Sequence, residues 1–252
     1  MLLSVKTIAA RVLCSKPVGC AVSTAFRNRI PFYGTTVDTS APSVPESTKA
    51  SLLFRLYESA EVRFVRRYLP SALDVVELGS RIGVMGAQVL RVQEPGRRLT
   101  CVEANPDLLQ PLRANTKDGG SRVRIVHGAI HYPEGACETV GFVVGDSNVD
   151  GRVGSSSAGP QVQVRACTLS QVVREAGFGD YALVCDIEGA EAGIVVYDEA
   201  ALASCKLAVF ELHETVFEGR TYTVDDLANQ LLERHRFEWV DRYGPVLVVR
   251  RA

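Results

Sequence analysis

The stretch from Asp74 to Gly83 constrains the fold of this chain more than any other. It begins with the short apolar run Asp74–Leu78, which is typical of a buried strand in a parallel sheet. Gly79 and Gly83 follow, and a helical pattern of apolar residues begins at Val84. Ligands of parallel α/β sheets bind beyond the carboxyl ends of the strands, where glycine lets the backbone come close. The stretch therefore predicts an α/β fold with a ligand site at this turn.

The type of ligand is indicated by two acids and by the spacing of the glycines. A second strand, Leu99–Glu103, ends in a carboxylate that can accept two hydrogen bonds from a ribose diol. The spacing G-x-x-x-G-x-x-G over 79–86 lacks the tight turn of the dinucleotide fingerprint G-x-G-x-x-G. Glu77 would also place a negative charge near a diphosphate. The pattern favours a cationic or zwitterionic nucleoside ligand over NAD, with a purely structural strand–turn–helix as the alternative.

Further alternating elements complete a predicted sheet. Three more apolar runs follow the first two strands, at 123–127, 181–187 and 206–213. A closing pair of runs, 237–240 and 246–249, is joined by a tight turn. Strands that alternate with helices predict a parallel sheet, and the final pair predicts an antiparallel hairpin. This order is the class I methyltransferase (Rossmann-like) arrangement rather than the usual dehydrogenase one.

Chemical groups gather at the predicted ends of the fourth and fifth strands. Asp186, Glu188 and Glu191 surround one turn, and His213 follows the fifth strand. A neutral His213 would be a general base near neutral pH, with an ordinary pKa of about 6.5; a structural histidine is equally open. Glu191 at a helix start is a candidate dipole partner. Three acids could hold a divalent cation, but no second ligand set accompanies them, so no metal is predicted.

The N-terminal part differs in composition from the rest. Residues 1–50 are predicted to form a helical basic extension and linker, with 51–252 as the main domain. No acid precedes Asp38, which resembles a mitochondrial transit peptide, but a basic amphipathic helix of a cytoplasmic enzyme is preferred. The net charge of −1 disfavours nucleic acid as a partner, and no apolar run is long enough to span a membrane.

Two segments near the expected site have a predicted structure, and two alternative roles are open for each. A helix is predicted over 51–68, on which Tyr57, Glu58 and Glu61 form either a cover over the ligand or, preferably, a solvated edge. Two short strands, 142–144 and 162–164, predict a hairpin that flanks the Gly- and Ser-rich loop 145–160. That loop is interpreted as a mobile lid or as a loop without function.

Four motifs together resemble the FkbM family of S-adenosylmethionine (SAM)-dependent methyltransferases. They are V-V-E-L-G-S-R-I-G from Val75, C-V-E-A-N-P from Cys101, C-D-I-E-G-A-E from Cys185 and F-E-L-H from Phe210. The Y-E-S-A-E segment from Tyr57 is also similar to the family's lead-in to the first strand. The resemblance covers the chain from about Phe54 onward, and the D-x-E-G-A-E element is its most specific part.

The resemblance implies SAM as cofactor and O-methylation of a sugar, glycolipid or polyketide hydroxyl, so that the expected partner is a carbohydrate-like small molecule. It places eight residues at the cofactor: Glu77, Gly79, Ser80, Gly83, Glu103, Ala104, Ala129 and Asp186. Asp186 and His213 are the candidate catalytic residues.

The chain departs from the family at two places. Ala129-Ile130-His131-Tyr132 replaces the usual A-x-S-D pattern, which leaves the adenine contact open, and Arg81 replaces a small or amide residue. A nicotinamide oxidoreductase and a non-catalytic SAM-fold binding protein are the alternative functions.

Overall fold

The computed structural model describes residues 12–132, 138–145, 152–153 and 161–251. Its helices are α1 (Lys16–Phe26), α2 (Glu46–Leu53), α3 (Ser59–Tyr68), α4 (Val84–Val92), α5 (Leu109–Thr116), α6 (Leu169–Ala176), α7 (Glu191–Tyr197), α8 (Glu199–Ser204) and α9 (Val224–Glu233). Its strands are β1 (Arg29–Phe32), β2 (Thr35–Asp38), β3 (Asp74–Leu78), β4 (Leu99–Glu103), β5 (Val123–His127), β6 (Ala129–Ile130), β7 (Thr139–Val143), β8 (Arg152–Val153), β9 (Gln161–Cys167), β10 (Tyr181–Cys185), β11 (Cys205–Glu211), β12 (Thr215–Phe217), β13 (Arg220–Tyr222), β14 (Phe237–Tyr243) and β15 (Val246–Arg251).

A seven-stranded sheet forms the centre of the fold, in the order β14-β15-β11-β10-β3-β4-β5. The five strands from β11 to β5 are parallel to one another, and β15 runs antiparallel to both β11 and β14. The predicted α/β fold, a mostly parallel sheet that ends in an antiparallel hairpin, is therefore confirmed. The apolar runs of the central strands fit this place, because a parallel sheet is covered by helices on both faces.

Side chains of the sheet alternate between two cores. In one row across the strands, Val249, Ala208, Leu183 and Val76 pair in register and all face the core that α6, α7 and α9 cover. The next row consists of Val248, Val209, Val184, Glu77 and Cys101, and it faces the core beneath α3 and α4. Because side chains on a strand alternate with a period of two, Glu77 must point into this second apolar core rather than along the strand axis.

The N-terminal segment packs on the same core. β1 and β2 form an antiparallel hairpin in which Ile30 pairs with Val37, and both are buried beside Val75. The side chain of Asn115 accepts a hydrogen bond from the Asp38 N–H at 2.6 Å and donates one to the Asp38 carbonyl at 3.0 Å. Part of the stretch 1–50, predicted as a basic extension and linker, thus forms α1, β1, β2 and the start of α2. The domain boundary at residue 50 stays a prediction.

The predicted helix over 51–68 is broken. α2 ends at Leu53 and α3 begins at Ser59, and Arg55 and Glu58 between them have φ angles of 55° and 43°. The break turns the next residues inward, so that Tyr57 is 8% and Glu61 is 7% exposed. The preferred interpretation of this segment as a solvated edge is therefore wrong. Apolar periodicity predicts helical faces and carries no sign of a left-handed turn between them.

A small second sheet supports the far end of the site. β7 and β9 are antiparallel, with Phe142 opposite Val162, which confirms the predicted hairpin. Most of the predicted lid loop, 146–151 and 154–160, lies outside the described residues, as do residues 1–11 of the N-terminal extension. Within the described ranges, none of the helices combines the length and apolar character that crossing a membrane requires.

Candidate functional site

A cavity lies at the carboxyl ends of β3, β4, β5 and β10, with about 540 Å³ of empty space that includes its opening to solvent. Five of the residues predicted to bind a cofactor or act in catalysis line it: Gly79, Glu103, Ala104, Ala129 and Asp186. Leu108, Ile130, Phe142 and Ile187 add apolar surface, whereas Arg81, Asn105 and Glu188 add polar groups. The cavity thus combines an apolar wall suited to a flat ring with a few fixed polar groups, as small-molecule sites do.

Glu103 is held rigidly at the end of β4. Its Oε2 accepts a hydrogen bond from the Arg81 N–H at 2.7 Å, and its Oε1 accepts one from the Asn105 N–H at 2.7 Å. Burial raises the pKa of this carboxyl, although the two backbone donors oppose the shift. Each carboxylate oxygen keeps a further lone pair. The chain therefore fixes an acceptor for neighbouring hydroxyls in the cavity wall.

The glycine turn is shaped by close packing between two strand ends. Gly79 has a φ of 78°, and a Cβ built on it would lie 1.8 Å from the Asp186 carbonyl oxygen. Only glycine lets the turn after β3 approach the turn after β10 this closely. Gly83 begins α4 and packs on Leu112, and the buried Ser80 donates a weak 3.4 Å hydrogen bond to the Glu77 carbonyl. Of the three, only Gly79 lines a cavity among the described residues.

A second, smaller cavity of about 300 Å³ adjoins the first at Gly79 and Asp186. Three further acids, Glu58, Glu61 and Glu77, contribute to its wall. Burial raises the pKa of Glu77 to about 8, although a 3.3 Å hydrogen bond from the Cys101 thiol opposes the shift. Burial likewise raises the pKa of Glu58 to about 8 against the charge of Arg81. A cluster of acids whose charge is suppressed by burial would gain stability from a bound cation.

Arg81 connects the two cavities. It has a φ of 48°, and its Nη2 lies 2.8 Å from Asp186 Oδ2 and 2.7 Å from Glu188 Oε1. Its Nη1 is 3.9 Å from Glu58 Oε1. The sequence marked this arginine as a departure from the family pattern but gave no role for it. The structure shows that its backbone holds Glu103 while its side chain holds Asp186 in place.

His213 is surrounded by carboxylates. Its Nδ1 lies 3.3 Å from Glu191 Oε1, and its Nε2 lies 3.6 Å from Glu188 Oε2. Burial of the imidazole lowers its pKa, but the Glu191 hydrogen bond and the charges of Glu191, Asp186 and Glu188 outweigh burial and raise the pKa to about 9. The pKa of His213 thus lies above the ordinary value of about 6.5, on the side that favours the protonated ring at neutral pH.

Glu191 explains why the histidine is held so firmly. This acid is fully buried at the start of α7, and it accepts backbone hydrogen bonds from Ile187 and Gly189 at 2.8 Å each. Its role includes fixing the turn after β10 as well as pairing with His213, so the helix-start interpretation describes only part of it.

Sequence reasoning missed Glu211 at the end of β11. Its carboxyl hydrogen-bonds to Glu61, and burial together with this contact raises the pKa of Glu211 to about 9. Oxygen and nitrogen atoms of Asp186, Glu211 and His213 lie within 4.8 Å of one another. The fold thus brings Glu211 from the neighbouring strand beside Asp186 and His213, and these three groups together could hold a metal ion. The absence of a metal stays a prediction.

Comparisons with known proteins give similarity in shape alone. No protein-family model matches the chain, and no curated protein does. It is similar to a protein of the NADB-Rossmann superfamily from Streptococcus agalactiae, at 16% identity and a TM-score of 0.43, over 76% of this chain and 67% of that one. It is also similar to magnesium protoporphyrin IX methyltransferase from Synechocystis PCC 6803 with bound SAM, at 9% identity and a TM-score of 0.44, over 77% of each chain.

A third similar structure is an O-methyltransferase family protein from Burkholderia thailandensis, at 14% identity and a TM-score of 0.44, over 81% of this chain. The present chain spans 60% of that protein's length and about two thirds of the length of the first. These identities and TM-scores are too low to carry function from one protein to another. The functional assignment depends on the chain's own site.

Proposed function

We propose that this chain is a SAM-dependent methyltransferase that acts on a hydroxyl group of a small molecule. The observation that carries the proposal is the pair of joined cavities: one has the fixed Glu103 carboxylate in its wall, and the other is acidic. The two meet at Gly79 and Asp186, at the ligand-binding edge of a parallel sheet. A nucleoside that carries positive charge fits both parts at once, whereas the diphosphate of NAD would meet the acids.

The residues divide between two parts of the cofactor. Glu103 is suited to bind the ribose hydroxyls, and Ala129, Ile130 and Phe142 offer an apolar wall for the adenine. Of the acids in the smaller cavity, Glu58 and Glu77 would face the cationic amino acid part, whereas Glu61, which bonds to Glu211, would face the acceptor. When bound, SAM supplies a methyl group on a sulfonium, which is an electrophile that requires no further activation.

The chain's own task in the reaction is to position the acceptor hydroxyl and to take its proton. Positioning alone accounts for a large part of the rate of such a displacement. The Oδ1 of Asp186 is buried and has no hydrogen-bond partner among the described residues, so it is free to accept the hydroxyl hydrogen. His213 can act as a base only after it loses the proton that its neighbours stabilise.

The finer parts of the proposal come from the family resemblance. They are membership of the FkbM family and a carbohydrate-like acceptor. A cytoplasmic location in preference to a mitochondrial one is proposed separately, from the composition of the N-terminal segment. The involvement of Ser80 and Gly83 also remains part of the proposal, although neither is among the residues that line the cavity.

Titration calorimetry with S-adenosylhomocysteine (SAH) and with NAD tests the proposal. We expect binding of SAH with a lower Kd than NAD. Binding of NAD alone would favour the oxidoreductase alternative and contradict the assignment. SAH binding without methyl transfer to any alcohol in a broad panel would instead favour the non-catalytic alternative.

A further inference from the structure

An open groove lies between the outer face of α3 and the tip of the β14–β15 hairpin, outside the two cavities. Its walls carry three arginines of one helix and two tyrosines, and its lining residues are Tyr33, Ser59, Ala60, Arg63, Arg66, Arg67 and Tyr243. All three arginines and Tyr243 are exposed. The groove therefore concentrates positive charge on a chain whose net charge is −1.

The arginines are held in place by aromatic rings. The guanidinium of Arg63 lies 4.9 Å from the ring centre of Tyr243, and that of Arg67 lies 5.0 Å from the ring centre of Tyr68. Arg66 donates a hydrogen bond to the Tyr33 carbonyl at 3.0 Å. Among the described residues, no carboxylate oxygen lies within 4 Å of the charged groups of Arg63 or Arg67, although both charges add to the hydrogen bond from Tyr68 that lowers the pKa of Asp241. Stacking on a ring orients a guanidinium and leaves its N–H groups free to bind an anion.

The groove lies at the same edge of the sheet as the candidate active site. Tyr243 pairs with Val246 at the hairpin tip, and Val246 pairs with Glu211 at the end of β11. The inner face of α3 carries Glu61, which hydrogen-bonds to Glu211. Arg63 follows Glu61 by two residues on α3, about 3 Å along the helix axis at 1.5 Å per residue. The groove and the acids of the active site therefore lie on two faces of the same helix.

We propose that this groove binds a phosphate group carried by the methyl acceptor, while the acceptor's hydroxyl reaches Asp186. The inference rests on the proposed methyltransferase function. The Arg81 guanidinium beside Asp186 is already paired with carboxylates, so the charge of an anionic acceptor needs a separate site. Arginine forks match phosphate oxygens in geometry and bind them through charge-assisted hydrogen bonds. The groove is lined by one helix and the tips of two hairpins, a small surface that suits a single phosphate group better than the long backbone of a nucleic acid.

The test is titration calorimetry of the whole chain with inorganic pyrophosphate, in the absence and in the presence of SAH. We expect pyrophosphate to bind, and an Arg63→Gln/Arg67→Gln variant to bind it at least about tenfold more weakly, since each lost charge-assisted hydrogen bond costs on that order. The matched control is Arg97→Gln, which removes an exposed arginine at the opposite edge of the sheet. This control should bind pyrophosphate like the unchanged protein.

Three results would overturn the proposal. The first is that the two arginines make no difference: the double variant and the unchanged chain bind pyrophosphate equally, or neither binds it at about 10 mM. A weak contact of about 3 kcal/mol becomes visible at concentrations on that order. The second is displacement of pyrophosphate by SAH, which would place the anion at Arg81. The third is preferential, Arg63- and Arg67-dependent binding of a short single-stranded RNA, which would make the groove a nucleic-acid surface.

SAH affinity measured on the same variants separates this proposal from the methyltransferase assignment. Arg63 and Arg67 lie outside both cavities, so the double variant should bind SAH normally. A chain that fails to bind SAH but binds pyrophosphate through these arginines would refute the assignment of the cofactor while leaving the anion site in place.

Discussion

The cofactor half and the acceptor half of the site are built in different ways. In the cofactor half, Glu103 receives two backbone hydrogen bonds from turns beside it. In the acceptor half, Glu61 and Glu211 come from a helix and a strand far apart in the chain and bond to each other. Backbone N–H groups stabilise a carboxylate, whereas a second carboxyl favours its protonation. The pH response of this protein should therefore come mainly from the acceptor half.

The position of Glu77 sharpens this contrast. It follows the first strand as a cofactor-binding acid would, yet it faces an apolar row between Val184 and Cys101. Its Oε1 is buried without a hydrogen-bond partner among the described residues. Glu77 thus shares the raised pKa of the acceptor half even though the sequence places it with the cofactor motif.

The largest expected effect concerns His213. Because its carboxylate neighbours raise its pKa to about 9, turnover that uses it as a base should rise with pH toward 9 rather than level off above 6.5. His213→Ala should lower turnover by roughly 10²–10⁴, the usual contribution of acid–base catalysis, and leave SAH affinity nearly unchanged. Turnover and affinity are both measured once an alcohol acceptor is found.

A direct measurement of His213 does not need an acceptor. In an NMR titration, one of the four imidazoles should titrate near pH 9 and be missing from His213→Gln. Burial lowers the pKa of His131 and His235, which therefore serve as internal references. A midpoint near 6.5 for His213 would show that its neighbours do not hold its charge, and unchanged turnover in His213→Ala would leave Asp186 and positioning as the mechanism.

A smaller effect is expected from the cofactor half. Glu103→Ala should weaken SAH binding by about 1.5–3 kcal/mol, the scale for losing hydrogen bonds to a charged group. Asp107→Ala, an exposed acid just beyond the same strand, is the matched control and should bind SAH normally. Calorimetry measures both variants. Equal affinities for the two would remove Glu103 from the ribose site.

The smallest effect concerns the stability contributed by Glu77. Its pKa is about 8 in the folded chain against 4.5 as an ordinary glutamate, so its contribution is complete below pH 4.5 and is lost as the pH rises through 8. Glu77→Gln cannot lose a proton there. At pH 9 the unfolding free energy of the variant should be higher than that of the unchanged chain by about 1–2 kcal/mol. Each unit of a pKa difference between the folded and unfolded chain corresponds to about 1.36 kcal/mol, and only part of that total is expected.

Urea unfolding at pH 6 and pH 9 measures this difference. Glu233→Gln, an exposed acid at the end of α9, is the control and should leave the pH dependence of stability unchanged. Glu58, Glu211 and His213 have pKa shifts in the same direction, so the Glu77 variant should retain part of the decline. Identical declines in the Glu77 variant and the unchanged protein would show that Glu77 is ionised in the folded chain.

The sequence by itself determined the sheet and the residues at the ends of its strands. Short apolar runs that alternate with amphipathic helices leave few arrangements besides a parallel sheet covered on both faces. Once β3, β4 and β10 are neighbours, Gly79, Glu103 and Asp186 must meet at one edge. The closing hairpin was predictable for the same reason, because its two strands are joined by a tight turn.

Only the tertiary structure decided which groups meet across that edge and how they are charged. The left-handed turn at Arg55 and Glu58 brings α3 over the site, and it places Glu61 against Glu211. Arg81 became a bridge between Asp186 and Glu188 because two strand ends pack within reach of one side chain. A pKa depends on burial and on neighbours from distant parts of the chain, and local patterns of residues carry neither. Hence the sequence predicted that His213 would lie at the site, while the surrounding carboxylates decided that it is protonated there.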